Sequence, residues 1–323
     1  MNRLLKKLFK KGAVRQLQSL SLPQVKEKAF PLSVDEQLAK WEKELKKESI
    51  KQLLSNGQLD QRLLNPVIIF QPGKVGSTSV HKALTQTYKD IGLYIPVFHA
   101  HILENIDQRI EKISIKRANP RDTIDKLEEN KELRKNIDLH PEWSWNIVSL
   151  VRDPVAIRIS AFFQLLNEYL PGWQKQLASG ALTLTELQSI FYEKGGLNTG
   201  GLDHWFDNQI KPIWKVDVYD SPFAKEKGYQ IYQQYPKVNL MIVRLEDLNT
   251  VAKDAFYDFL GVRDFAVVQS NVGSKKAYSE LYNQFKTLAF PIDAIDDAYT
   301  SRYALHFYTK DEIATFRKRW ALQ

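Results

Sequence analysis

The chain has 323 residues, of which 43% are hydrophobic and 11% aromatic, and its formal net charge is +8. This composition excludes an intrinsically disordered chain, and the absence of cysteine excludes a disulfide framework, a thiolate zinc site and a cysteine nucleophile. The excess of positive charge favours anionic partners, such as nucleic acid, anionic lipid, or phosphorylated and acidic-sugar ligands, without choosing among them.

The first residues, MNRLLKKLFKKGAVRQL, are basic and amphipathic. They lack the long apolar region and small-residue cleavage site of a signal peptide, and no apolar run in the chain approaches the ~20 residues of a membrane span. Two interpretations stay open: a basic helix on an anionic membrane surface, or a solvated tail. We expect a cytoplasmic protein, and the first interpretation adds peripheral contact with the inner membrane through residues 1–12.

Residues 1–62 are rich in Lys, Glu, Gln and Leu and form a predicted basic helical extension. Within it, SVDEQLAKWEKELKKESIKQLL has a Ser cap and helical spacing, which predict a helix. A second unit, an α/β domain, is predicted over residues 63–323.

Apolar runs and helical patterns alternate from Pro66 onward. Four buried strands are predicted in PVIIF, LYIPVFHAHIL, SWNIVSLVRDP and VNLMIVRLEDL. Helices are predicted in STSVHKALTQTY, in the charged stretch 104–139, in VAIRISAFFQLLNEYL, and in TVAKDAFYDFLG, which Gly261 ends. This alternation predicts a parallel sheet with helices on both faces, in which ligands bind at the carboxyl ends of the strands.

The loop after the first strand, QPGKVGSTS, is suited to binding a phosphate. Glycines let the backbone approach a ligand, and the start of a helix presents free N–H groups to an anion. Lys74 adds a positive charge, and Ser77, Thr78 and Ser79 add hydroxyl donors. The loop is not a Walker A motif, because its lysine is followed by Val75 and not by Ser or Thr. The alternative is a tight strand-to-helix turn with an ordinary Ser or Thr N-cap.

A second stretch, SLVRDPVAIRISAFFQ, follows the third predicted strand. Arg152 comes directly after that strand, and Ser160 lies about two turns into the helix that Pro154 starts. Such a pair can hold one phosphate, the Arg through its planar fork. Taken singly, Arg152 would form a surface pair with Asp153, and Ser160 would be an ordinary helix-face serine.

Together the two stretches resemble the sulfotransferases that use 3′-phosphoadenosine 5′-phosphosulfate (PAPS). QPGKVGSTS looks like their 5′-phosphosulfate loop, Pro-Lys-x-Gly-[Ser/Thr]-[Ser/Thr], with Gly73 inserted between the proline and the lysine. VRDPVAIRIS matches their 3′-phosphate motif, Arg-[Asp/Asn]-Pro-x-x-Arg-x-x-Ser, at every fixed position. The resemblance implies a P-loop-like sheet.

The resemblance also implies which residues hold the donor. The 5′-phosphosulfate is expected to bind Lys74, Gly76, Ser77, Thr78 and Ser79. The 3′-phosphate is expected to bind Arg152 and Ser160. NVGSKKAY, which contains Lys276, looks like the late basic loop that closes over PAPS in these enzymes, and a solvated lysine pair is the alternative.

The later part of the chain resembles a bacterial group of capsular polysaccharide synthesis proteins that are sulfotransferase-like. The similar stretches are HWFDNQIKPIWKVDVYDSPFAKEKGYQIY, IVRLEDLN, SKKAYSELY and HFYTKDEIATFRKRW. The two resemblances together cover about Pro66 to Trp320.

A candidate base lies in VFHAHIL, where His99 and His101 share a face at a strand end. An ordinary histidine pKa of about 6.5 suits a general base. The pair looks like the His-x-His after the second strand of heparan sulfate 2-O-sulfotransferases, which implies that His101 is the base and that His99 orients the substrate or supports its neighbour. Glu104 is the alternative base. Two ordinary strand-end histidines or a metal site are other interpretations, although no third ligand is evident.

We therefore expect a bacterial PAPS-dependent sulfotransferase acting on a glycan or glycolipid hydroxyl, with no metal and no nucleic-acid partner. One alternative is a P-loop-type kinase or NTPase, although Arg152 stands where a strand-end acid should be. Another is a non-catalytic polysaccharide- or membrane-binding protein on a degenerate fold, an alternative that the extra Gly73 supports.

Four aromatic residues could stack on a sugar face, although aromatic residues at such spacing are more often part of the hydrophobic core. They are Trp205, Phe206, Trp214 and Tyr219.

Overall fold

A computed structural model describes residues 32–116, 120–235, 238–267 and 277–321. The sheet contains β1 (Val67–Phe70), β2 (Val97–Ala100), β3 (Trp145–Val151), β4 (Tyr229–Tyr235) and β5 (Val238–Arg244). Their order across the sheet is β2-β1-β3-β5-β4. The first four in this order run parallel to their neighbours, and β4 is antiparallel to β5.

Helices flank the sheet. In the described part of the chain they are α1 (Val34–Leu45), α2 (Glu48–Ser55), α3 (Ser77–Asp90), α4 (Ile106–Lys116), α5 (Arg121–Leu139), α6 (Pro154–Gln164), α7 (Leu166–Tyr169), α8 (Trp173–Ala178), α9 (Leu184–Glu193), α10 (Gly200–Asp203), α11 (Trp205–Gln209), α12 (Lys211–Trp214), α13 (Leu248–Leu260), α14 (Ser279–Phe285), α15 (Ile292–Thr300), α16 (Arg302–Phe307) and α17 (Lys310–Trp320). Two 3₁₀ segments, Gln61–Leu64 and Lys225–Lys227, complete the set. None of the helices described here is long and apolar enough to cross a membrane.

The prediction of an α/β fold with a mostly parallel sheet is confirmed, and the prediction of a wholly parallel sheet is wrong at one edge. β4 was not among the predicted strands, and it pairs antiparallel with β5. Its sequence, YQIYQQY, has glutamines where a buried strand would have aliphatic residues. Two of its residues, Tyr229 and Tyr232, are nevertheless buried, each 3% exposed, and their side chains point to opposite faces of the sheet.

The central strands, β1 and β3, lie in the hydrophobic core. Every residue of β1 and β3 is buried, as expected for parallel strands covered by helices, which appear in sequence as continuous apolar runs. In the pairing of β1 with β2, Phe70 lies opposite Ala100. The residues that follow these strands, Gln71 and His101, are therefore brought side by side at the carboxyl edge of the sheet.

The extension is helical where the structure describes it, but the helix predicted over residues 33–54 is divided into α1 and α2. Lys47 between them has an extended backbone. Ser33 caps α1 in a capping box with Glu36, as its sequence predicts. The indole of Trp41 is buried and donates to the carbonyl of Leu64 at 2.7 Å, so α1 packs against the α/β core. Residues 1–12, the predicted membrane contact, lie outside the described residues.

Candidate functional site

The loop between β1 and α3 has two residues in the left-handed region, Lys74 at φ 72° and Gly76 at φ 85°. A Cβ on Gly76 would lie 2.6 Å from Cδ1 of Leu245, whereas a Cβ on Gly73 would meet nothing within 4 Å. Glycine is thus needed at position 76 for both its backbone and its packing. The inserted Gly73 has neither a left-handed backbone nor a close neighbour that would require glycine at its position.

Gly76 is also the N-cap of α3, and it has no side chain to cap the helix. The predicted alternative, an ordinary Ser or Thr N-cap, is therefore wrong. Ser77, which is buried, and Thr78 and Ser79, which are half-buried, form the first helical turn. The N–H groups at the start of a helix attract anions when no side chain occupies them, so this turn retains the character of an anion site.

Arg152 follows β3 and reaches across to the loop. Its Nη1 donates a hydrogen bond to the carbonyl oxygen of Lys74 at 3.0 Å. Its backbone is fixed by the buried hydroxyl of Tyr303, which accepts from the Arg152 N–H at 2.9 Å and donates to the Arg152 carbonyl at 3.1 Å. The structure thus brings together the two segments that the sequence analysis singled out.

Ser160 is the other residue predicted to hold the 3′-phosphate, Arg158 belongs to the same motif, and Lys276 belongs to the predicted late basic loop. Ser160 lies half-buried on α6, which begins at Pro154 as predicted. Arg158, the second arginine of the motif, donates from Nε to the carbonyl of Gly196 at 3.1 Å, and burial lowers the pKa of its guanidinium. Lys276 lies outside the described residues.

The two histidines at the end of β2 lie together, with ring centroids 4.8 Å apart. Nε2 of His99 lies 2.9 Å from the hydroxyl of Ser77 at the start of α3. Nδ1 of His101 lies 2.9 Å from the backbone carbonyl of Gln71. Because a carbonyl only accepts, Nδ1 of His101 carries the proton in this arrangement, and Nε2 keeps its lone pair.

Burial favours the uncharged form of both imidazole rings, His99 and His101. It lowers the pKa of His99 to about 3, with the neighbouring His101 adding to the shift. Burial also lowers the pKa of His101, the positive charge of Lys74 lowers it further, and the bond to Gln71 opposes the shift. Both imidazoles are therefore neutral at pH 7. A neutral ring with a fixed Nδ1–H and a basic Nε2 is the form that a general base requires.

Gln71 is a site residue that the sequence analysis missed. It is fully buried, its side-chain Nε2 lies 3.2 Å from Nδ1 of His101, and its Oε1 has no partner among the described residues. Since the protonated Nδ1 of His101 is a donor, the side-chain amide fits this tautomer with its oxygen and nitrogen exchanged, so that Oε1 accepts from the ring. Its position directly after a strand, beside the candidate base, was the available signal. Glu104, the alternative base, forms a salt bridge with Arg134 at 3.0 Å.

Asp153 is buried, so its predicted surface pair with Arg152 is not formed. The Asp153 carboxylate accepts from the hydroxyl of Tyr299 at 2.7 Å and from the indole of Trp320 at 2.9 Å. Its backbone N–H donates to Glu246 at 2.9 Å, and Tyr308 donates to the other oxygen of Glu246 at 3.0 Å. This network, in which Glu246 is exposed and the other side chains are buried, connects the segment after β3 to the last three helices.

The four aromatic residues considered as sugar platforms are mainly core. Phe206 and Trp214 are buried, and burial raises the pKa of Tyr219, whose ring lies under the guanidinium of Arg302 at 3.7 Å. Trp205 is half-buried and donates from its indole to the carbonyl of His101 at 3.2 Å. It is the member of the set that contacts the candidate base segment.

A family model described as "Putative capsular polysaccharide synthesis protein" (NKWYS) matches residues 181–309. The matched segment begins after α6 and includes β4, β5 and α13. It supplies Tyr303, which bonds the backbone of Arg152, and Glu246 and Tyr299, which bond Asp153. It also supplies Tyr308, which bonds Glu246. No match is found among the curated proteins or the solved structures.

Across the residues that the structure describes, no group of three or more His, Asp or Glu side chains could hold a metal ion.

Proposed function

We propose that the protein is a sulfotransferase that moves a sulfuryl group from PAPS to a hydroxyl of a glycan or glycolipid. The observation that carries this proposal is the hydrogen bond from Arg152 to the carbonyl of Lys74. It joins the segment resembling a 5′-phosphosulfate loop to the segment resembling a 3′-phosphate motif. A glycan acceptor is supported by the match to a capsular polysaccharide synthesis family.

The residues present fit such a donor. Gly76 gives the loop its left-handed turn, α3 begins without a side-chain cap, and Lys74 and Arg152 supply positive charge. An adenine nucleotide that carries a phosphate at both the 3′ and 5′ positions needs two anion sites, and the segments after the neighbouring strands β1 and β3 are the two candidates. PAPS would supply the activated sulfuryl group.

Side chains and one backbone carbonyl of the chain then take separate roles in the transfer of the sulfuryl group. Nε2 of His101 accepts the proton of the acceptor hydroxyl, while the Gln71 carbonyl holds the ring in the required tautomer. His99 stays neutral and positions Ser77 at the start of α3. Lys74 stabilises the negative charge that develops on the departing bisphosphate.

Transfer of radiolabel tests this proposal. The protein is incubated with PAPS labelled in its sulfuryl group and with a panel of bacterial glycan and glycolipid acceptors, and label in the acceptor is measured. We expect label in at least one acceptor, and transfer at about a hundredth of the wild-type rate or less when His101 is replaced by alanine. Transfer from γ-labelled ATP instead would indicate a kinase, and glycan binding without transfer from either donor would indicate a non-catalytic protein.

A further inference from the structure

Three cationic side chains near the carboxyl end of β3 lack a carboxylate partner. Arg152, Lys286 and Arg319 form no salt bridge within 4.0 Å in the part of the chain that the structure describes. By contrast, Arg317, which lies in the same helix as Arg319, pairs with Asp296 at 3.2 Å. The internal segments outside the described residues, 117–119, 236–237 and 268–276, contain no Asp or Glu in the sequence.

Aromatic rings hold two of these cations beside the third. The ammonium of Lys286, at the end of α14, lies 4.5 Å from the ring centroid of Tyr282, and Tyr282 packs on Phe163 of α6 with centroids 5.1 Å apart. Lys286 is therefore anchored against the helix that begins just after Arg152. A ring beneath a cation stabilises it without neutralising its charge.

Arg319 is anchored from the other side. Its guanidinium lies 4.6 Å from the ring centroid of Trp320, and the indole of Trp320 donates to the carboxylate of Asp153 at 2.9 Å. The backbone N–H of Phe290 donates to the carbonyl of Trp320 at 2.9 Å. This bond ties the segment after α14 to the end of α17, so the two elements that carry Lys286 and Arg319 are fixed to each other.

Burial and the two arginines both act on the charge of Lys286. Burial lowers the pKa of the Lys286 ammonium, and the positive charges of Arg319 and Arg152 lower it further. Like charges gathered without a counter-ion destabilise the empty site, and a bound anion removes that cost. A doubly charged phosphate monoester, with several acceptor oxygens, is the ligand that three such donors accommodate.

We infer that Lys286 and Arg319 complete, with Arg152, a binding site for a phosphate monoester, and that this phosphate is the 3′-phosphate of the donor. The inference rests on the proposed function, because the proposed donor supplies the phosphate. It assigns a role to two residues outside both motifs that the sequence analysis singled out.

Calorimetric titration with adenosine 3′,5′-bisphosphate and with adenosine 5′-monophosphate tests this assignment. Lys286→Met keeps the aliphatic stem on Tyr282 and removes the charge, and Arg319→Gln does the same on Trp320. Each should weaken bisphosphate binding about tenfold or more, since a charge-assisted hydrogen bond is lost, and should change monophosphate binding less than about twofold. Lys318→Met, which removes an exposed charge one residue from Arg319, should change neither.

The outcomes separate this inference from the proposed function. If the wild-type protein prefers the bisphosphate and both variants keep that preference, the three-cation site is wrong and the proposed function stands. If the wild-type protein binds the two nucleotides equally, the proposed donor and the site are both wrong. Equal weakening of both nucleotides in the variants would also overturn the site, because it would show a general effect and not a 3′-phosphate contact.

Discussion

The guanidinium of Arg152 donates a hydrogen bond to the carbonyl oxygen of Lys74 across 78 positions of sequence, with an N···O distance of 3.0 Å. This bond holds the loop after β1 against the segment after β3. The two candidate phosphate sites are therefore mechanically coupled, and a change at Arg152 reaches both.

Replacement of Arg152 tests how the donor's phosphates are divided between the two segments. We expect Arg152→Ala to weaken binding of adenosine 3′,5′-bisphosphate by about 2 kcal/mol or more, because a charge-assisted contact is lost. Adenosine 5′-phosphosulfate, which lacks the 3′-phosphate, should lose much less, through the loosened Lys74 carbonyl alone. Calorimetric titration of both ligands measures the difference, with Arg152→Lys as a variant that keeps the charge without the fork. Equal losses for the two ligands would contradict the assignment.

The two glycines of the loop should respond differently to alanine. Gly76→Ala forces a left-handed backbone on a residue with a Cβ and places that Cβ against Leu245, so the free energy of unfolding should fall by about 2 kcal/mol or more. Gly73→Ala meets open space and should stay within about 0.5 kcal/mol of the wild type. Urea unfolding of both variants measures this. A loss at Gly73 as large as that at Gly76 would show that the loop geometry is wrong.

Protonation of the candidate base, His101, should determine how kcat/KM falls in acid. His101→Ala should lower kcat by roughly 10²–10⁴ and leave bisphosphate affinity nearly unchanged, and His99→Ala should lower kcat less. Because the pKa of His101 is lowered from 6.5, the ring stays unprotonated to a lower pH than usual, and kcat/KM should fall only as pH drops below 6.5. That acidic limb should disappear in His101→Ala. Full activity in this variant would transfer the role to His99 or Glu104.

Stability should also fall in acid, because His99 is buried in its neutral form. Its folded-state pKa of about 3 lies below the ordinary value of 6.5, so its contribution is fully present above pH 6.5 and is lost as pH falls from 6.5 toward 3. At pH 5 this one residue should account for about 2 kcal/mol of lost unfolding free energy. Urea unfolding of the wild type and of His99→Asn at pH 7 and pH 5 measures its share. The same loss between the two pH values in His99→Asn would assign the effect to other groups.

The buried network under Arg152 should be needed for folding. Asp153→Asn replaces one acceptor oxygen with an NH₂ group that faces the donors Tyr299 and Trp320. An unsatisfied buried donor costs about 1–3 kcal/mol, and we expect a loss in that range by thermal or urea unfolding. Asn249→Ala, on the surface of α13, serves as the control. An unchanged midpoint in Asp153→Asn would show that the network contributes nothing.

Sequence patterns predicted the parts of the fold that depend on local information. VIIF and WNIVSLV are buried apolar runs, and each forms the strand it predicts. Gly261 ends α13 in the left-handed conformation, as predicted. β4 escaped prediction because a strand with three glutamines among seven residues has no apolar run, and its pairing with β5 supplies the stability that its own sequence does not indicate.

The candidate site was predictable only where its residues follow strands. Lys74, His101 and Arg152 all stand at strand ends, and parallel pairing brings such positions to one edge. The partners of Asp153 were not predictable, since Trp320 is 167 residues away and no local pattern links the two. Tertiary packing alone decides such contacts.

We propose that the segments after β1 and β3 together form a site for PAPS. Calorimetric titration of the whole chain with adenosine 3′,5′-bisphosphate, with ADP as the control, distinguishes this site from a general nucleotide site. We expect saturable binding of the bisphosphate that is at least about tenfold tighter than that of ADP, because Arg152 engages a 3′-phosphate that ADP lacks. Equal affinity for the two nucleotides, or tighter binding of ADP, would show that the proposed site is wrong.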